Sequence, residues 1–144
     1  MDKVTKAIEF ASEAHDGMVR KKDKTPYILH PLEAAVIVGS MTDDRYVISA
    51  SVLHDVVEDT NYTLEDIQNM GFPQQILDAL ALLTHDDGVP YMEYVAANRK
   101  NPNATAVKLA DLRHNSDLTR LDRVDEKALR RREKYLKAIA LLEE

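Results

Sequence analysis

The chain contains no cysteine among its 144 residues. This absence excludes a disulfide framework, a thiolate metal site and a cysteine nucleophile. Any metal ion that the protein binds must therefore be held by histidine and carboxylate side chains.

The sequence also lacks a long apolar run. A membrane-spanning helix needs about 20 predominantly apolar residues, and no stretch approaches that length. The N-terminus, MDKVTKAIEFASEAH, does not have the charged-then-apolar order of a secretory signal. We therefore expect a cytoplasmic protein with no membrane partner.

The chain has fewer basic than acidic residues. The chain has 19 Lys and Arg against 25 Asp and Glu, a formal net charge of −6. Proteins that bind nucleic acid usually neutralise its phosphates with a basic surface, so this balance argues against a nucleic-acid partner. A local basic patch could still hold one small anion.

Glycine and proline are sparse, with four and five residues, and no segment shows strong strand-like alternation. Both features favour helices joined by short turns. We predict an all-α chain in which residues 1–144 form one domain of about seven or eight helices. The main helices are expected near residues 2–16, 31–41, 44–59, 73–84, 90–101, 104–119 and 125–142.

An unusual group of polar residues falls on the helix predicted near 44–59. The segment SVLHDVVEDT combines buried-type valines and leucine with His54, Asp55, Glu58 and Asp59. Residues three and four apart share a helix face, so these four should form one polar stripe that lies at the edge of the core or lines a cavity. The stripe could be a solvated face with intrahelical pairs, or it could recruit a cation.

Two further residues are candidates for the same site. His30 precedes Pro31 at a position typical of a helix N-cap, where a histidine commonly serves as a cap or as a satisfied core residue. Asp111 lies in the apolar stretch VKLAD, where burial would require a partner. Each signal alone is weak.

Together these residues resemble a known family. The segments TPYILHPLEAA, VLHDVVEDT and VKLADLRHN, with AHDGMVRKK before them, resemble in order and spacing the blocks of the HD phosphohydrolase superfamily. The similarity is greatest to the hydrolase domain of RelA/SpoT proteins and to stand-alone small alarmone hydrolases. It implies a helical HD-domain bundle whose metal ligands are His30, His54, Asp55 and Asp111.

The resemblance also assigns a cofactor and further roles. Two imidazoles and two carboxylates suit Mn²⁺, Fe²⁺ or Co²⁺, and the family favours Mn²⁺. Glu58 and Asp59 match the acidic pair that activates or positions the attacking water. By resemblance the substrate is gripped by a basic loop and by nucleotide-contacting residues, namely Arg20, Lys21, Lys22, Asn115 and Tyr135. His85 and His114 receive no role.

The function implied is hydrolysis of the 3′-pyrophosphate of guanosine 3′,5′-bis(diphosphate), or of its pentaphosphate analogue, to GDP or GTP and pyrophosphate. One departure concerns Asp111: the family commonly places a basic residue directly after this aspartate, whereas here Leu112 follows and Arg113 comes next. That step rotates the charge by about 100° around a helix and leaves substrate choice open. No segment resembles the family's synthetase domain.

Other functions stay open on sequence grounds. The chain could be an HD phosphohydrolase for another nucleotide or a phosphorylated dinucleotide. It could also be a module that binds nucleotide or metal without turnover, or a helical scaffold for a partner protein. The final segment, LRRREKYLKAIALLEE, could form a homodimer contact or simply close the core.

Overall fold

The structure, a computed structural model, describes residues 2–20, 24–121 and 123–144. The predicted substrate residues Lys21 and Lys22 lie outside these ranges. Within them the chain is helical apart from turns and one isolated antiparallel bridge between Val19 and Pro26. The all-α prediction is confirmed.

The helices follow one another with short connections. Eight of the α-helices in the described ranges have six or more residues, in agreement with the predicted number, and α4 is a single turn. The elements are α1 Lys3–Ala14, α2 Leu29–Met41, α3 Arg45–Leu53, α4 Val56–Asp59, α5 Leu64–Asn69, α6 Gln74–Leu83, α7 Tyr91–Ala97, the 3₁₀ turn η1 Asn98–Lys100, α8 Pro102–Ser116, the 3₁₀ turn η2 Leu118–Arg120 and α9 Glu126–Glu143.

Local sequence signals account for most helix starts. Asp2 caps α1 by accepting from the N–H groups of Val4 and Thr5 at 2.9 and 3.1 Å. Thr63 and Asp66 form a reciprocal capping box at the start of α5. Asn101 caps α8, where Pro102 occupies the first position and so starts a helix that was expected only from residue 104.

Two predicted boundaries near the site are wrong. His30 is not an N-cap, because α2 begins at Leu29 and Pro31 lies inside its first turn, where the missing N–H has no helical partner to lose. The helix expected over 44–59 is broken at His54 and Asp55. There the His54 Nδ1 atom contacts the Ser51 carbonyl oxygen at 2.5 Å. In a continuous helix that oxygen would accept a hydrogen bond from a backbone N–H of the next turn.

The core forms around α3, which packs against α1, α2, α6 and α8. Its buried face includes Val52 and Leu53, and α8 contributes Val107 and Ala110. A second apolar cluster joins α7, α8 and α9 through residues such as Val95. This packing sets the His54–Asp55 break of α3 beside the N-terminal turn of α2 and the middle of α8.

None of the helices in the described part of the chain combines the length and the apolar character that crossing a membrane requires.

Candidate active site

The four predicted metal ligands meet at one point inside the bundle. They come from the first turn of α2, the break between α3 and α4, and the middle of α8. One potential ligand atom from each residue lies within 4.8 Å of the others. The structure thus brings together His30, His54, Asp55 and Asp111.

Both imidazoles direct their Nε2 atoms at the two carboxylates. His30 Nε2 lies 2.8 Å from Asp111 Oδ1 and 3.5 Å from Asp55 Oδ2. His54 Nε2 lies 3.0 Å from Asp55 Oδ2 and 3.3 Å from Asp111 Oδ1. The side chains are 3–13% exposed, so the donor atoms share a largely dry position.

The hydrogen bonding of the histidine rings makes the four side chains suitable ligands for a divalent cation. A backbone carbonyl only accepts, so the His54 Nδ1 atom that contacts Ser51 must carry a proton, and its Nε2 lone pair is available in the neutral ring. Two neutral imidazoles and two carboxylates would give a metal ion of intermediate hardness a balanced set of ligands. The residues fit such an ion.

Neighbouring groups keep Asp111 ionised. Its Oδ2 atom accepts from Lys108 Nζ at 2.9 Å, and its Oδ1 atom accepts from Asn115 Nδ2 at 3.0 Å. Burial by itself would raise the pKa of Asp111, but Lys108 and the contacts with His30 and His54 hold that pKa well below its usual range.

Asp55 is ionised for similar reasons. Burial works against its charge, yet the adjacent His54 imidazole lowers the pKa of Asp55 to about 2. Tyr27 donates its hydroxyl to Asp55 Oδ2 at 2.7 Å. In turn, although burial opposes its charge, Asp55 and Asp111 raise the pKa of His54 well above its ordinary value. The carboxylates therefore favour positive charge at this point.

The acidic pair lies one turn beyond the cluster, on α4. Glu58 Oε1 accepts from the backbone N–H of His85 at 2.9 Å, which ties α4 to the loop after α6. Partial burial, and then the charge of Asp55, raise the pKa of Asp59 to about 6. Both acids line the pocket that opens onto His30, Asp55 and Asp111.

The predicted substrate residues within the described ranges line the same pocket. Arg20, Asn115 and Tyr135 all face it. Arg20 Nη2 donates to Asn115 Oδ1 at 3.0 Å, while its buried Nη1 finds no hydrogen-bond partner among the residues that the structure describes. A buried guanidinium nitrogen with spare capacity is suited to an anionic ligand.

Sequence reasoning missed four residues of the pocket, namely Tyr27, Tyr91, Lys108 and Lys134. Lys134 Nζ lies 4.0 Å from the centre of the Tyr91 ring. Lys108, three residues before Asp111, could have been found from the helical spacing. Tyr91 and Lys134 come from α7 and α9, and only the packing of those helices joins them.

Arg113 does not enter the pocket. Its Nη2 atom pairs with Glu143 on the surface at 3.1 Å, and the preceding Leu112 is fully buried. The shift of the basic residue by one helical position therefore places its charge outside the pocket.

A sequence model of the HD domain matches residues 7–115, which contain all four cluster residues. The chain belongs to the HD-domain family. Relatives carry the similarity further: this HD domain is 39% identical over 121 residues to the guanosine-3′,5′-bis(diphosphate) 3′-pyrophosphohydrolase MESH1 of Xenopus tropicalis. That match covers 78% of the chain and 66% of the Xenopus protein.

A second relative is far longer than this HD domain. The probable GTP pyrophosphokinase of Mycobacterium leprae is 32% identical over 139 residues, which are 90% of the chain but only 17% of that protein. The match therefore covers only a small part of the mycobacterial protein, and the rest of that protein has no counterpart in the aligned region.

A solved structure has the same fold as this HD domain. It is that of a metazoan ortholog of SpoT, a protein described as hydrolysing ppGpp and playing a role in starvation responses. The TM-score is 0.76 at 26% identity, over 99% of this chain and 84% of that one.

Proposed function

We propose that this HD domain hydrolyses the 3′-pyrophosphate of guanosine 3′,5′-bis(diphosphate) and of its pentaphosphate analogue. Water attacks the phosphorus that is bonded to the 3′ oxygen, and the bond between that phosphorus and the 3′ oxygen breaks. The products are pyrophosphate with GDP or GTP. The observation that carries the proposal is the pocket, which joins a His–Asp cluster, an acidic pair and several cationic side chains in one cavity. The similarity to a guanosine-3′,5′-bis(diphosphate) 3′-pyrophosphohydrolase supports the choice of this substrate.

His30, His54, Asp55 and Asp111 would hold the metal ion, for which we propose Mn²⁺ with Fe²⁺ and Co²⁺ as alternatives. When bound, such an ion supplies a Lewis acid that lowers the pKa of water and offsets charge on the phosphate. The imidazoles contribute neutral nitrogen donors, and the carboxylates compensate the positive charge of the ion.

The acidic pair handles the proton of the attacking water. Glu58 is anchored through one oxygen by the His85 N–H, which leaves its other oxygen free to orient water. Asp59, with a pKa of about 6, is ionised at neutral pH and is still basic enough to accept a proton. We assign the pair jointly to this role.

Cationic groups surround the position of the substrate. Arg20 lines the pocket with an unused buried N–H group, and Lys108 and Lys134 line the same pocket. They would offset the charge of two polyphosphate chains. Tyr91 and Tyr135 provide ring surface for the nucleoside, and Asn115, held by Arg20, presents an amide to it.

The test is pyrophosphate release from guanosine 3′,5′-bis(diphosphate) with added Mn²⁺. We expect turnover by the wild-type chain and a loss of at least 100-fold in the Glu58→Gln, Asp59→Asn double variant, as is typical when general-base catalysis is removed. A matched control, Asp86→Asn with Asp87→Asn, removes the same charge from the exposed loop after α6 and should retain activity.

Failure on this substrate, with turnover of another nucleotide in a parallel panel, would replace the proposed substrate. The burial of Leu112 and the surface pairing of Arg113 are the observations that favour such an alternative. Nothing in the described residues addresses a homodimer, which stays a prediction.

A further inference from the structure

His114 is a buried histidine to which the proposed mechanism gives no part. Its ring stacks against His30, with ring centres 4.9 Å apart and planes at 28°. The Nδ1 atoms of the two rings lie 2.7 Å apart. On its other side, His114 Nε2 contacts Glu33 Oε2.

The contacts follow from helical spacing. Glu33 lies three residues after His30 on α2, and His114 lies three residues after Asp111 on α8. Each helix therefore carries one ligand of the cluster and, on the same face, one of these supporting groups. Packing of α2 against α8 closes the chain of contacts.

The position of each proton follows from the contacts. A hydrogen bond between two nitrogens needs one donor and one acceptor. If His30 offers its Nε2 lone pair to a metal ion, the proton of the neutral ring must be on Nδ1, and His114 Nδ1 must accept it. His114 then carries its own proton on Nε2, where it faces an acceptor-only carboxylate.

The opposite arrangement disables the ligand. If His114 donated from Nδ1, His30 Nδ1 would accept, and its proton would be on Nε2. That proton would point to Asp111 Oδ1, 2.8 Å away, and would occupy the lone pair needed for a metal. The Glu33 carboxylate selects against this arrangement, because a carboxylate can only accept and therefore requires a proton on His114 Nε2.

We propose that Glu33 and His114 are positioning residues that hold His30 in the tautomer competent for metal binding. Glu33 is the outer anchor, with a side chain 58% exposed, and His114 is the inner one, at 9%. Hydrogen bonds of this kind behind a ligand histidine typically change metal affinity by 10- to 100-fold. The inference rests on the metal site of the proposed function and not on its substrate.

The test compares two variants of equal shape. His114→Asn places an amide oxygen close to the position of Nδ1 and can still accept from His30, whereas His114→Leu has the same branching and cannot accept. We expect Mn²⁺ affinity, measured by calorimetry on metal-free protein, to fall about 10- to 100-fold in His114→Leu and much less in His114→Asn. His85→Phe, which removes an imidazole outside this chain of contacts, should bind Mn²⁺ as the wild type does.

A second measurement reports the tautomer directly. In Zn²⁺-loaded protein labelled with nitrogen-15 at histidine, His30 Nδ1 should show the shift and attached proton of a protonated nitrogen. Glu33→Leu should weaken Mn²⁺ binding, and Glu33→Gln, whose side-chain carbonyl still accepts, should restore most of it.

Equal Mn²⁺ affinity in His114→Leu and His114→Asn would overturn the inference, as would an unprotonated His30 Nδ1 or a wild-type chain that does not bind Mn²⁺. Circular dichroism establishes that both variants are folded before affinities are compared. Absence of hydrolysis of guanosine 3′,5′-bis(diphosphate), with the affinity difference intact, would instead contradict the proposed function alone.

Discussion

Lys108 offers the sharpest test of the electrostatics of the site. Its side chain is 10% exposed and its ammonium lies 2.9 Å from Asp111 Oδ2 and 4.9 Å from the centre of the Tyr94 ring. Burial opposes the charge of this lysine, but Asp111 and the neighbouring tyrosines hold its pKa well above the usual value. The pair is therefore ionised at neutral pH.

Lys108→Met removes the charge and keeps most of the volume. Removing one partner of a buried ion pair costs about 3–5 kcal/mol, because the other charge is left without compensation. Asp111 would keep its hydrogen bond from Asn115, so we expect the lower end, about 3 kcal/mol, in metal-free protein. A bound divalent cation would compensate Asp111, and the loss should shrink when Mn²⁺ is present.

The assay is urea unfolding followed by circular dichroism, with EDTA and then with Mn²⁺. Lys134→Met is the matched control, since it removes an exposed lysine that faces the same pocket and contacts the Tyr91 ring. An exposed cation–π contact contributes about 0.5–1 kcal/mol, so the control should lose no more than that. If Lys108→Met is no less stable than Lys134→Met without metal, the argument from burial and charge is wrong.

Two further predictions concern metal binding and the fold. The pKa of His54 is raised in the metal-free protein, so its Nε2 is protonated near neutral pH and must lose that proton before it can bind a metal ion. The affinity for Mn²⁺ should therefore rise from pH 6 to pH 8. Calorimetry in buffers of different ionisation enthalpy should detect the proton that binding releases. Affinity that is independent of pH would contradict this. Thr63→Ala removes half of the α5 capping box, away from the pocket, and should cost about 1 kcal/mol in urea unfolding with unchanged turnover. Thr63→Ser, which keeps the hydroxyl, is its control, and equal stability of the two variants would refute the cap's contribution.

Local interactions explain why much of the fold could be predicted from the sequence. Asp2 and the Thr63–Asp66 box act within three residues of their own position, so helix starts of this kind depend only on the local sequence. The polar residues of VLHDVVEDT are costly among apolar neighbours, and on their own they leave two interpretations, a solvated face or a cation site. The grouping of His54 and Asp55 with His30 and Asp111 depends on the family resemblance.

The two misplaced helix boundaries have different local causes. Periodicity favours a helix over 44–59, but the imidazole of His54 competes for the Ser51 carbonyl and interrupts the ladder. Pro31 suggests a helix start that leaves His30 outside, although a proline is tolerated anywhere in the first turn. In both places a side-chain contact or a permissive position decides the boundary, and neither has a periodic signature.

The sequence by itself determined the helical class, the absence of thiol chemistry and the donor types of the site, because composition, capping and residue chemistry are properties of short segments. Only the tertiary structure decided that α2, α8 and the break after α3 meet, since that depends on how their apolar faces pack. It also decided which unassigned residues matter: Lys134 and Tyr91 reach the pocket from α9 and α7, and His114 reaches His30 across the α2–α8 contact. Contacts between residues more than eighty positions apart depend on how the helices pack, and no local pattern encodes that packing.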